Sequence, residues 1–503
     1  MFDSLLSRQY MNIMAELMLV MEDSPIPAMA YDSVEEHQYL PSGITQQLET
    51  AIDKNPVEAV ALIRKLSDDI INSSEPIRYV HAFQLICLMD AHIAYEESHT
   101  PGKISMSGLF TEDKDNVKFI GALNDNYSRT GIWINPKFGT TDGYYYAGDK
   151  KVRRKLSNRD AFYKMNGVLC NCCYTHWNEK LIYRNVIVPA DTENKNDEEF
   201  YKFAFCPILG FQEPLILSYP GINENGLQQR GIALEGHKQE DVINRRFSES
   251  WLKACEEGAE LYFAPEMLGT FRMYEEENGY LKYMSELSAM AKCAGFKPPR
   301  VTIMPGKWED GVSRAVIVNS DGLILGEQIR HIRFIDRADH MVEAMRPLNP
   351  KEYCIIHIPG LYRIGLLICA EFLPQEGNDS VERLCRDLGC NLMLVPSFSA
   401  GEYDYMSALP ITKPYGTSVI WGNCCGANHY SPEIIGGLSV AGTDYVGRMG
   451  SFCKCAYSCK EDKGCLFILR LPAAALMGKP DSMQMDNTIE HILYEISIHR
   501  KDS

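Results

Sequence analysis

No apolar run in this chain approaches the length of about 20 residues that a membrane-spanning helix needs, so no helical span is expected. The opening residues, Met1-Phe2-Asp3-Ser4-Leu5-Leu6, lack a basic segment and carry an acid at position 3, which does not fit a secretory signal. Basic charge is also scarce. With 50 Lys and Arg against 67 Asp and Glu, the net charge is −17. That balance argues against a broad cationic face of the kind that holds nucleic acid or an anionic membrane. The one basic run, Lys150-Lys151-Val152-Arg153-Arg154-Lys155, reads as solvated surface. The 17 cysteines are odd in number and lack the pattern of a small disulfide scaffold, so they read as thiols of a reducing compartment. A cytoplasmic protein is expected, without a membrane or nucleic-acid partner.

A chain of 503 residues exceeds one ordinary core and predicts two or three domains. Residues 1–125 read as a mainly helical module. Asn55-Pro56 is an N-cap followed by proline at the first helical position, and Val57, Val60, Ile63, Leu66 and Ile70 then recur at helical spacing. A second helix is predicted from Ile77 to Glu96, with Val80, Phe83 and Cys87 on one face. The segment holding Leu6, Tyr10, Ile13, Met14, Leu17 and Met18 is amphipathic and rich in methionine, which suits a core-facing helix or a contact for a partner protein. Residues 126–203 read as an irregular connecting region and residues 476–503 as a tail. Between them, from 204 to 475, helices and strands alternate. One helix is predicted around Ile243, Phe247, Trp251 and Cys255 ending at Gly258, and another through Leu281 to Ala291 ending at Gly295. Ala315-Val316-Ile317-Val318 turns at Asp321-Gly322 into Leu323-Ile324-Leu325 as a hairpin. This mixture predicts a layered α/β fold with a mixed sheet.

The most informative window is Arg363-Ile364-Gly365-Leu366-Leu367-Ile368-Cys369-Ala370-Glu371. A buried strand that ends on a cysteine and turns sharply brings its sulfur to the sheet edge. Read alone, the window also suits a buried structural thiol. A second strand, Leu261-Tyr262-Phe263-Ala264, runs into Pro265-Glu266 and sets a carboxylate where a strand meets a cleft. Together, Gly258-Ala259, Pro265-Glu266 and Ile368-Cys369-Ala370-Glu371 with Pro374 resemble the nitrilase, or carbon–nitrogen hydrolase, superfamily. Val318-Asn319-Ser320-Asp321-Gly322, Val395-Pro396-Ser397, Gly422-Asn423-Cys424-Cys425-Gly426 and Gly436-Gly437-Leu438-Ser439 resemble further elements of that family, in the family's order.

The resemblance covers roughly residues 204–475. It implies an α-β-β-α sandwich that pairs into homo-oligomers, with Cys369 as nucleophile and Glu266 as general base. It also implies that the N–H of Ala370 and a lysine stabilise the tetrahedral anion. The lysine is missing: none occurs between Lys307 and Lys351, and counting on from Gly322 the position falls on Arg330. His331, Arg333 and Lys307 are other candidate cations. Glu343 and Glu352 both suit the family's additional glutamate.

Cys170-Asn171-Cys172-Cys173-Tyr174-Thr175-His176 is a crowded cluster without a second ligand pair, so no metal is expected there. Alternation along a strand explains Cys453, Cys455 and Tyr457. The function implied is hydrolysis of a non-peptide carbon–nitrogen bond in a small molecule, an amide before a nitrile, with no cofactor. The alternative is a fold-retaining scaffold that has altered or lost hydrolysis and works with a partner through its N-terminal module.

Overall fold

A computed structural model describes residues 4–25, 39–94, 104–105, 111–112, 118–120, 132–136, 169, 171–176, 181–188, 200–208, 215–224, 226–336, 341–346, 351–358, 362–374, 378–399, 402–427, 434–441, 443–450, 463–472 and 488–495. The chain is mixed α/β. The helices expected near the start form at Ser4–Glu22, Ser42–Lys54, Pro56–Asn72 and Ile77–Ala91. The Asn55 side chain accepts from the Glu58 N–H at 3.4 Å, as an N-cap should, and Pro56 occupies the first helical position. The fourth helix stops short of the predicted Glu96, because His92 caps it and Ile93–Ala94 turn into a short strand.

Leu6, Tyr10, Ile13, Met14, Leu17 and Met18 are all buried, in one cluster with residues of the other three helices and with Ile132, Ile134, Cys172 and Tyr174. The methionine-rich stripe is therefore covered within the chain. Tyr10 Oη donates to the Met89 carbonyl at 2.8 Å, which fixes the first helix on the fourth. No helix among the described residues is long and apolar enough to cross a membrane.

Two large sheets follow. The eight-stranded one runs Lys307–Glu309, Val312–Asn319, Val301–Ile303, Leu261–Phe263, Phe200–Phe205, Lys463–Pro472 and Ile489–Glu495, with Ile324–Ile329 paired to Val312–Asn319. The nine-stranded one runs Val446–Met449, Gly436–Ser439, Ser418–Asn423, Leu392–Ser397, Tyr362–Leu366, Lys351–Ile358, Leu181–Ile187, Lys118–Ile120 and Thr111–Glu112. These sheets cross the boundaries expected at 203/204 and 475/476. Leu181–Ile187 pairs in parallel with Lys351–Ile358 along seven residues, and Ile489–Glu495 pairs with Lys463–Pro472. Local composition gives no sign of these pairings, because each is made by residues far apart in sequence.

Alternation assigns the faces. Phe203, Phe205, Leu261, Phe263, Val301, Ile303, Ile317, Phe467 and Leu469 share a core with Ile355, Ile364, Leu366, Leu394 and Ile420 of the other sheet. The residues between them, Ala204, Tyr262, Val316, Val318, Leu466 and Ile468, pack with Ile243, Phe247, Trp251, Met284 and Leu287 of the helices Glu240–Glu256 and Lys282–Cys293. Burying each large side chain of this kind stabilises the fold by roughly 1.5–3 kcal/mol. Both helices end where the glycines predict: Gly258 and Gly295 take φ of 70° and 80°, just past the caps Glu257 and Ala294. The predicted hairpin forms too, with Gly322 at φ 85° and Asn319 Oδ1 accepting from the N–H groups of Asp321 and Leu323, each at 2.9 Å. Gly422 is needed for packing between layers, since a Cβ there would lie 2.3 Å from the Phe205 ring.

The Asn55 cap gives a local test. Asn55→Ala is expected to lower amide-exchange protection across residues 56–72 about fivefold, matching a loss of about 1 kcal/mol, while Asn55→Gly costs only a few tenths. Unchanged protection in the alanine variant would show that the cap contributes nothing.

Candidate active site

Glu266 and Cys369 stand just beyond the carboxyl ends of central strands, one in each sheet. Leu261–Phe263 lies parallel to both of its neighbours, and Ala264-Pro265 carry the chain on to Glu266. The strand Tyr362–Leu366 ends two residues before its expected limit. Leu367 and Ile368 lead into a tight turn at Cys369–Phe372. Such strand ends are where open α/β sheets present reactive groups.

Glu266 is clasped on its backbone side. Gly306 approaches so closely that a Cβ there would lie 3.1 Å from Glu266 Cα, and Met267 takes a φ of 63°. On the side-chain side, Ser313 Oγ donates to Glu266 Oε1 at 2.7 Å, and Arg330 Nη1 donates to the same oxygen at 2.5 Å. Glu266 Oε2 is buried with no hydrogen-bond partner among the described residues.

Arg330 follows directly on the strand Ile324–Ile329. Its N–H donates to the Ser313 carbonyl at 2.9 Å and its Nε to the Ile332 carbonyl at 3.0 Å. Its Nη2 pairs with Glu343, which also accepts from the Phe334 N–H at 2.9 Å. One buried guanidinium therefore lies between two buried carboxylates. Burial opposes its charge, but Glu266 and then Cys369 and Glu371 outweigh this and hold its pKa above the ordinary value.

The other candidate cations lie elsewhere. The His331 ring bonds the Glu352 carbonyl at 2.6 Å, and burial lowers its pKa to about 4, so it is neutral at physiological pH. Lys307 pairs with Glu309 at 3.1 Å and sits over the Phe271 and Tyr274 rings. Arg333 donates to the Met345 carbonyl at 2.9 Å. Of the two glutamates that suited the additional position, Glu343 joins the arginine, whereas Glu352 pairs with Arg184.

Cys369 is only 4% exposed and takes a φ of 52°, a left-handed conformation that costs a non-glycine residue on the order of 1–3 kcal/mol. Burial, and secondly Glu266, push its thiol up to about 11, against the pull of Arg330, the Tyr405 hydroxyl and the Phe398 N–H. At neutral pH the sulfur is thus a thiol, and its reactivity depends on a base. Ala370, the next residue in the turn, is buried, and its carbonyl accepts from the Leu373 N–H at 3.1 Å.

Three more residues join this geometry; Asn423 and Glu371 stand in the motifs that carry the sequence resemblance, whereas Tyr405 has no signal in the linear sequence. Tyr405 Oη lies 3.1 Å from Cys369 Sγ, and its ring stacks on Trp421 with centroids 4.8 Å apart and planes 5° from parallel. Asn423 grips Ser399 at both its N–H and its carbonyl, at 2.9 and 2.8 Å, which steadies the loop carrying Phe398. Glu371 is buried, and its two oxygens accept from the N–H groups of His331 and Ile368 at 2.7 and 2.9 Å. It thereby ties the residue after Arg330 to the residue before Cys369.

Comparison with known proteins finds solved structures similar to part of this chain. No family model matches the chain, and no curated protein matches it by sequence. An amidase from Nesterenkonia sp. is 15% identical and covers 55% of this chain and 92% of its own, with a TM-score of 0.34. A mutant of the Nesterenkonia sp. AN1 amidase with the acetamide moiety of fluoroacetamide added covalently at the active-site cysteine is 15% identical. That match covers 58% of this chain and 97% of its own, with a TM-score of 0.35. Another mutant of that amidase, described as from the nitrilase superfamily, is 17% identical over 56% and 94%, with a TM-score of 0.33.

The cysteine-rich cluster stays outside this site. Cys172 Sγ lies 3.8 Å from Met14 Sδ and Cys173 Sγ 3.7 Å from the Leu388 carbonyl, on opposite faces of one strand. Among the described residues no group of three or more His, Cys, Asp or Glu side chains is placed to hold a metal ion. Cys170 and the run Cys453 to Cys459 lie outside the described residues.

Glu371 gives the fold a pH signature. Burial raises its pKa from 4.5 to about 7, against the pull of its two N–H bonds and Arg330. The folded chain therefore keeps a proton that the unfolded chain has released. The stabilisation is full below about pH 4.5 and is lost as pH rises through about 7. Glu371→Gln is expected to flatten this fall in denaturant midpoint while lowering stability overall, because its amide nitrogen cannot accept the second N–H. An undiminished slope in the variant would assign the titration to another group.

Proposed function

We propose that this chain hydrolyses a non-peptide carbon–nitrogen bond of a small molecule, an amide before a nitrile, through a thioester on Cys369. The observation that carries this reading is the Glu266 carboxylate, fixed at Oε1 by Ser313 and Arg330 while buried Oε2 lacks a partner among the described residues. A free acceptor oxygen on a carboxylate whose charge acts on the buried, protonated thiol is what a general base for that thiol requires. In the acylation step the Sγ–H proton passes to Glu266 and sulfur bonds the carbonyl carbon. Arg330 and the Ala370 N–H, the donor that the sequence resemblance assigns, offset the negative charge on oxygen. The carbon–nitrogen bond then breaks, and Glu266 returns the proton to the leaving amine. Water attacks the thioester, Glu266 takes the water's proton, and the carbon–sulfur bond breaks to restore the thiol and release the acid.

Arginine keeps its charge throughout and cannot donate a proton, so all proton transfer falls to Glu266. The same reading implies an α-β-β-α sandwich and assembly into homo-oligomers. The double clamp on Arg330 favours one alternative. A guanidinium already neutralised by Glu266 and Glu343 leaves less positive field for an oxyanion, as a scaffold that has lost hydrolysis would show.

Intact mass after incubation with an electrophilic amide analogue distinguishes the two. One adduct is expected on the wild-type chain and none on Cys369→Ala. With amide substrates, Glu266→Gln is expected to lower kcat by at least about 100-fold, the usual contribution of a positioned base. An adduct that persists in Cys369→Ala sinks the nucleophile assignment. Adduct formation without turnover on any amide or nitrile supports the scaffold.

A further inference from the structure

The cation at this site is committed elsewhere. Arg330 directs its Nε to the Ile332 carbonyl, Nη1 to Glu266 and Nη2 to Glu343. Its field reaches the sulfur, but these three groups are held away as donors. Sulfur is instead approached by the Tyr405 hydroxyl at 3.1 Å, with the Phe398 N–H as the second donor. Tyr405 is buried in the short helix Tyr403–Ala408, and its stack on Trp421 fixes where the hydroxyl points. Burial pushes the phenol pKa well above its ordinary value, so the hydroxyl keeps its proton at neutral pH.

We propose that Tyr405 is a catalytic residue whose O–H donates the hydrogen bond that stabilises the Cys369 thiolate when Glu266 takes the thiol proton. The inference rests on Cys369 being the nucleophile. Once the thiol proton has moved to Glu266, the sulfur carries no hydrogen and can only accept, which makes Tyr405 the donor. The tyrosine keeps its own proton, so no charge crosses from sulfur to phenol. A hydroxyl held in this way supplies stabilisation that an arginine bound to two carboxylates does not deliver by direct contact, and it does so without water in a closed site.

The test reads the thiolate itself, separately from turnover. Iodoacetamide alkylation of the Cys369 peptide is followed against pH by mass spectrometry in the full chain, for wild type, Tyr405→Phe and the chain with 3-fluorotyrosine at 405. Phenylalanine keeps the stack on Trp421 and removes only the donor. Its alkylation profile is expected to move to higher pH by about one pH unit, with the rate at neutral pH falling about tenfold. Fluorotyrosine, a stronger donor of the same shape, is expected to move the profile the other way, which a merely structural role would not produce. Coincident profiles for all three chains overturn the assignment, as does a Cys369 that resists alkylation in every one. A shifted profile in a chain that turns over no amide supports the role of Tyr405 and overturns the hydrolase reading.

Discussion

The arrangement depends on one buried cation. Arg330 is almost wholly excluded from solvent and lies between Glu266 and Glu343, themselves buried. Removing three charges from water costs several kcal/mol per ion, and their attraction returns this only if the hydrogen-bond geometry is satisfied around them. Backbone groups and one hydroxyl do part of that work. The Ile332 carbonyl accepts from Nε, the Phe334 N–H supports Glu343, and Ser313 supports Glu266. Deleting the guanidinium would strand two carboxylates in the interior, so Arg330, Glu343 and the strand leading to Glu266 keep their places together. Glu371 extends the tie to the nucleophile turn through the N–H groups of His331 and Ile368.

This network explains why the sulfur is not activated at rest. Burial and the Glu266 charge both disfavour a thiolate, and Arg330 opposes them from a position where its own charge is already balanced. The positive φ of Cys369 places the sulfur at the strand end at a cost that neighbouring contacts must offset. The site thus holds a neutral thiol in a strained turn, an acceptor oxygen with no partner among the described residues, and a hydroxyl and an N–H within hydrogen-bonding reach of the sulfur. Each is of little use to a structural cysteine, which needs neither a base nor donors.

Much of this was legible in the chain because its causes are local. Asn55-Pro56, Gly258, Gly295 and Asp321-Gly322 state their geometry through capping and positive φ, and each appears where the residue type requires it. Glu266 and Cys369 were readable because each comes just after an apolar run, whereas Arg330 came only from the resemblance, counted on from Gly322. The choice between Glu343 and Glu352 was not readable. Both are glutamates in strands, and only the fold decides which one meets the arginine. Tyr405, Ser313 and the double role of Glu371 were hidden for the same reason, since their partners are set by tertiary packing. The strands at 181–187 and 489–495 escaped notice because pairing, rather than composition, makes them part of the sheets.

An arginine in this position changes how proton and charge are divided. A lysine ammonium is a compact charge that rotates and shares its protons, whereas a guanidinium is planar, keeps its proton and matches two carboxylates at once. With Nη1 and Nη2 each on a glutamate, that fork fixes the orientation of Glu266 more firmly than a single ammonium does. It leaves one oxygen of Glu266 without a partner among the described residues and removes the cation from direct contact with the sulfur. Stabilisation of negative charge at sulfur must then come from groups that reach it by hydrogen bonding. Those are the hydroxyl of Tyr405, held by Trp421, and the N–H of Phe398, on the loop that Asn423 secures.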